Sequence, residues 1–198
     1  MSKKLTPEQQ AIISASDAGL HATTIELAQR LLNTEPDNVK VLIDLGHACW
    51  QIARYGDAEK ALTRAIEHCD PGKRDVLYGE LGNLHRVRGD FATAAAWYTK
   101  QIEHDPADAT GYLFLGTLQL RQGDLDLATA TLQRALVCEY GCLDEVHFTL
   151  GIVALAQQEY STAVQRFEHA IAIDPQHLVA KQALKDARRS LELHSVTG

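Results

Sequence analysis

Positive charge is the scarcer sign in this 198-residue chain: 19 lysines and arginines stand against 26 aspartates and glutamates, a formal net charge of -7. Neutralising phosphates takes a concentrated lysine and arginine surface, so the balance speaks against nucleic acid as a partner. Cysteine is also sparse. Cys49, Cys69, Cys138 and Cys142 are too few for a disulfide framework at this length, and reduced thiols are expected. No apolar run is long enough to span a bilayer, which excludes membrane insertion as a helix. The opening Met1-Ser2-Lys3-Lys4-Leu5-Thr6-Pro7 lacks the apolar core and small-residue cleavage site of a secretory signal, so a cytoplasmic protein is expected.

Chemistry-bearing patterns are missing too. The nine histidines are scattered, and none forms a nucleophile or acid–base motif with Ser, Cys or a carboxylate. There is no glycine-rich phosphate loop. Cys138 and Cys142 are the one pair at a plausible ligand spacing, but no second Cys or His pair accompanies them. No enzyme activity, cofactor or metal is therefore expected. Runs of alternating apolar and polar residues are absent as well, which excludes a sheet and leaves an all-α chain.

What the chain has is a period. Leu-Gly occurs at Leu45-Gly46, Leu81-Gly82, Leu115-Gly116 and Leu150-Gly151, with spacings of 36, 34 and 35 residues between successive glycines. Alanine follows each glycine twelve residues later, at Ala58, Ala94, Ala128 and Ala163. Large residues stand four before (Leu42, Tyr78, Tyr112, His147) and sixteen after (Leu62, Tyr98, Leu132, Phe167). Nineteen after come Ala65, Ala135 and Ala170, with Gln101 the exception, which predicts a looser seam there. Glycine inside a helix costs roughly 0.5–1 kcal/mol relative to alanine, so its recurrence predicts close approach of a second helix, with the small alanine as its facing partner. Each period holds two amphipathic segments with a polar break, as in Val76–Val87, then Arg88-Gly89-Asp90, then Phe91–His104. Pro36, Pro71, Pro106 and Pro175 fall where one unit passes to the next, because proline cannot continue a helix.

These residues resemble the tetratricopeptide repeat family, whose 34-residue unit carries a large residue, Leu-Gly, Ala, an aromatic, Ala and Pro in that order. His147, Leu150-Gly151, Tyr160, Ala163, Phe167, Ala170 and Pro175 follow it closely. The resemblance implies a right-handed superhelical solenoid of antiparallel helix pairs, with a concave groove lined by the first, or A, helix of each pair. Residues 39–74, 75–108, 109–143 and 144–177 read as repeats. Residues 5–38 read as a degenerate one, because Ile12, Thr24 and Pro36 hold the glycine, alanine and proline positions. Residues 178–194 read as a capping helix: Lys185 stands where the glycine would, with Leu178, Leu184, Ala187 and Leu191 as its apolar stripe and Lys181, Lys185, Arg188 and Arg189 as a solvated face. The N-terminal methionine and this cap lead us to expect a complete array of one domain.

The family's groove positions map onto His47, Trp50, Asn83, Arg86, Phe114, Thr117, Leu120, Phe148, Ile152 and Leu155, polar in the N-terminal half and apolar in the C-terminal half. They are the candidate peptide-binding site, although some of the apolar ones are expected to pack between neighbouring A helices. The family's clamp for acidic chaperone tails needs Lys, Asn and Arg at positions that hold Ile43, His47, Glu80, Thr110 and Phe114 here, so that partner is disfavoured. The expected role is a non-enzymatic adaptor, scaffold or assembly factor that binds a protein or peptide. The rival is a homo-oligomeric scaffold whose groove accepts the segment from Leu5 to Leu20 of another copy.

Overall fold

Five left-handed residues punctuate the chain in register with the glycine period. Gly19, Ala53, Gly89, Gly123 and Gln158 have φ between 60 and 86°, and each follows the Ile12, Gly46, Gly82, Gly116 or Gly151 position by seven. Each reverses the chain between the two helices of a pair, a turn at which a helix ends in the left-handed conformation. The computed structural model describes residues 5–197, and among these every regular element is helical apart from one parallel β-bridge between Asp108 and Tyr140.

The helices run in pairs: α1 (Pro7–Asp17) and α2 (His21–Leu32), α3 (Val39–Gln51) and α4 (Tyr55–His68), α5 (Arg74–Val87) and α6 (Phe91–His104), α7 (Ala109–Gln122) and α8 (Leu125–Ala135), α9 (Leu143–Ala156) and α10 (Tyr160–Ile173), then α11 (Leu178–Thr197) alone. The fold is all-α, of the solenoid class expected. Caps set the starts where the sequence supplies an acceptor. Thr6 accepts the Gln9 N–H while Gln9 Oε1 accepts the Thr6 N–H, Asn38 accepts from Val41, and Asp108 accepts from Thr110. The surplus residues between Gly46 and Gly82 are wound into a short 3-10 turn, Pro71–Lys73.

The chain divides into two compact units within α6, one ending at Trp97 and the other beginning at Tyr98. In the first, α3 packs on α4, α2 lies against α3, and α4 against α5. Its core gathers Ile25, Leu42, Cys49, Leu62, Leu77, Leu81 and Leu84. In the second, α7 packs on α8 and α9, and α10 lies between α9 and α11. Tyr112, Leu132, Val146, Leu150 and Val153 form its main core, and Ala154, Ala163, Phe167 and Ala187 a second cluster.

Three of the recurring glycines, Gly46, Gly116 and Gly151, meet the large residue sixteen on more closely than the alanine expected to face them. A Cβ on Gly46 would lie 2.8 Å from Leu62, one on Gly116 2.6 Å from Leu132, and one on Gly151 2.4 Å from the Phe167 ring. The large residue sixteen positions on fills the glycine's space. Fully buried Ala58, Ala128 and Ala163 stand one turn earlier on the same helices, where their small side chains let the helices close. The cap differs from expectation as well. Ala180 and Ala187 are fully buried, but Leu178 is 72% exposed, because His177 and not Leu178 is the last residue turned inward before the helix. The α7–α8 pair ends in a pinned loop: Ala109 N–H donates to the Tyr140 carbonyl at 2.9 Å, Glu139 N–H to Ala107 at 3.0 Å, and the Tyr140 hydroxyl to Asp105. Gly141, at φ 113°, lies so close to Asp108 and Ala109 that a side chain there would collide.

Candidate functional site

All ten expected groove residues are half-buried. None is sealed in the core and none stands free, so each presents part of its side chain outward from an A helix that holds the rest.

In the first unit the face is built on α3 and α5. His47 donates from Nε2 to Glu80 Oε1 at 2.9 Å, which ties the two helices together. That hydrogen bond raises the His47 pKa above the ordinary histidine value against the opposing effect of burial, with the Glu80 and Asp44 charges adding to it. Asp44, one turn earlier, is itself raised, chiefly by burial, with Lys40 and His47 working against the shift and Asp17 with it. Arg86 Nε donates to Asn83 Oδ1 at 3.3 Å, so α5 carries its own polar pair. Trp50 packs on the core with one side. With Ser16, His21, His47 and Gln51 it lines a cleft of about 420 Å³.

In the second unit the face is built on α7 and α9. Phe114 rests on the fully buried Tyr98 ring, centroids 5.4 Å apart and tilted 44°. Phe148 sits between Phe167 at 5.8 Å and His177 at 5.1 Å. Ile152 and Leu155 pack against the Ala154, Ala163, Phe167 and Ala187 cluster, and Leu120 against the main core. The apolar stripe is thus partly core, and Thr149, next to Phe148 on α9, is buried with its hydroxyl donated to the Glu145 carbonyl at 2.8 Å. Thr117 remains half-buried on α7. No charged group stands among these α7 and α9 residues, which suits apolar contact.

Two polar constellations lie beyond what spacing along the chain could show. His85, 5% exposed, has Nε2 3.3 Å from Glu59 and Nδ1 3.3 Å from Asp90, with Arg88 on the same Glu59 at 2.8 Å. Asp90 also accepts from Thr93 at the start of α6, and hydrogen bonding to Thr93 holds its carboxyl below the usual range. Asp144, Glu145 and His177 bring three potential metal-ligand atoms within 4.8 Å of one another. His177 Nδ1, however, accepts the Ala180 N–H at 3.3 Å as the cap of α11. Its other ring nitrogen, Nε2, lies 3.5 Å from Glu145 and makes no hydrogen bond. No spacing rule would have found either group, since the partners lie on different helices.

Comparison with known proteins accords with this geometry. Residues 80–139 match the family model described as Tetratricopeptide repeat. No curated protein sequence matches the chain. Among solved structures, MamA is 18% identical at a TM-score of 0.69, over 86% of this chain and 95% of its own. The C-terminal part of a TPR repeat-containing protein from Cytophaga hutchinsonii is 15% identical at 0.75, over 96% and 73%. YrrB, described as a TPR protein with an unusual peptide-binding site, is 15% identical at 0.64, over 92% of both chains.

Proposed function

We propose that this tetratricopeptide-repeat protein is a protein–protein interaction module, five repeats at 5–38, 39–74, 75–108, 109–143 and 144–177 followed by the cap, that receives a peptide or helix of its partner on the A-helix face. The observation that carries the reading is the uniform half-burial of the ten face residues. Half-buried side chains are already ordered, so a partner that covers the rest meets little further entropy loss. Repeat proteins of this kind are in general non-enzymatic binding modules, and the peptide-binding site ascribed to YrrB fits the same use of the fold. In the second unit Phe114, Leu120, Phe148, Ile152 and Leu155, with Thr117, offer an apolar surface to such a segment. In the first unit Asn83 and Arg86, with His47 and Trp50, offer polar groups for a backbone or an acidic residue. Adaptor, scaffold and assembly factor are all served by this geometry, and the proposed setting is the cytoplasm. Among the described residues no helix is long and apolar enough to cross a membrane.

Self-association through residues 5–20 is less favoured. That segment is engaged as α1 in its own unit, with Ile12 fully buried and Ala15 at 6%, and would have to leave that core to reach another copy.

Calorimetric titration of a segment recovered with the native protein tests the proposal. Phe114→Ala and Arg86→Ala should each weaken binding about tenfold or more, roughly 1.4 kcal/mol, if they anchor the segment. Unchanged affinity for both removes the face from the mechanism.

A further inference from the structure

Within the first unit, α3 and α5 share one core, Leu42 and Cys49 of α3 with Leu77, Leu81 and Leu84 of α5. The glycine spacing is longest here, 36 residues from Gly46 to Gly82, with the Pro71–Lys73 turn in the connection. Across the seam between the two helices runs the His47–Glu80 bond at 2.9 Å. The corresponding positions on α7 and α9 hold Thr117 and Thr149, so the second unit has no titratable group there.

Glu80 is badly placed without its partner. Its side chain is 22% exposed, and its second oxygen, Oε2, is shut off from solvent with no hydrogen-bond partner. A poorly hydrated carboxylate needs a countercharge nearby, and the imidazolium of His47 is the one in contact with it. We infer that the His47–Glu80 pair is a proton-operated latch on the α3–α5 seam, closed while His47 is protonated and released once it is neutral. A neutral ring can still donate from Nε2, but the charge that offsets the desolvation of Glu80 is gone. The carboxylate then gains by turning out to water, away from α3.

The titratable and charged groups facing His47 are Glu80 from α5, Asp44 on its own helix, and His21 from α2 across the cleft. Asp17 and Lys40 act through Asp44. On the opposite side of α3, at Gly46, α4 presents Ala58 and Leu62, which carry no charge. The bond to Glu80 raises the His47 pKa. A raised folded value means the contact is fully present below the ordinary histidine value of about 6.5 and is lost as pH rises through the raised one.

The latch needs no partner, so its test is independent of the recognition reading. Spin labels at Lys40→Cys on α3 and Val76→Cys on α5, with Cys138 and Cys142 changed to serine, report the seam by pulsed dipolar spectroscopy, and proton NMR follows His47 directly. Between pH ~6 and pH ~9 the mean label separation should lengthen and its distribution broaden, with a midpoint matching the His47 titration. His47→Gln and Glu80→Gln keep size and hydrogen bonding but remove the charge pair, and both should make the separation independent of pH. A separation that does not change with pH in the otherwise native sequence overturns the latch, and so does an unchanged pH response in both variants.

Discussion

Ala53 and Gln158 are the two places where the chain departs from its own rule. They occupy the left-handed turn position that glycine holds at Gly19, Gly89 and Gly123, with φ of 60 and 63°. An L side chain pays about 1–2 kcal/mol there, against the extra freedom glycine gives the unfolded chain. Ala53→Gly and Gln158→Gly should therefore each raise stability by up to about 1 kcal/mol, read as a higher urea midpoint at unchanged slope. Gly151→Ala should do the reverse. Its Cβ would fall 2.4 Å from the fully buried Phe167 ring, and overpacking of this kind costs about 1–3 kcal/mol. The Leu-Gly glycines were legible in the sequence as packing positions, because a repeated cost inside a helix demands a compensating contact. Which side chain fills the gap was not. Alanine at twelve and the large residue at sixteen lie one turn apart on the same helix, and only the packed helices choose between them.

At the scale of the element, the helix pairs follow from local signals: apolar periodicity, caps at Thr6, Asn38 and Asp108, and prolines between units. What pairs do electrostatically does not follow. On α9 and α10 the His147 and His169 rings stack at 5.1 Å and 14°, with Arg166 close by. Burial, then the His169 and Arg166 charges, lower the His147 pKa. A lowered folded value means the unfolded state takes up the proton first as pH falls. The neutral ring's contribution is thus present above the ordinary histidine value of about 6.5 and lost as pH drops through the lowered one. Amide exchange in α9 and α10 should quicken between pH ~7 and pH ~5 beyond the intrinsic chemical trend, and His147→Leu should flatten that change. Equal pH profiles for the two proteins would show that the stack has no such role. Helix-surface spacing could not reveal the pair, since the two histidines are 22 positions apart and belong to different elements.

At the scale of the molecule, α11 is the element on which the second unit's end depends. Its buried Ala187 closes the cluster formed by Ala154, Ala163 and Phe167, and Phe148 packs beside it. Ending the chain before Leu178 should uncover that cluster, so that the shortened protein binds a hydrophobic dye more strongly and melts at lower temperature. An unchanged melting profile would mean the cap is dispensable. The sequence by itself determined the all-α class, the helix pairs and the repeat period, because each is written in spacing along one chain; the ten candidate groove residues came from the family resemblance. Only the tertiary structure decided how far those residues stand out of the core, that His47 reaches Glu80, that His85 lies between Glu59 and Asp90, and that His177 caps α11. Each of these joins helices whose separation depends on how large side chains fill the space between them, a three-dimensional sum that no single helix's period contains.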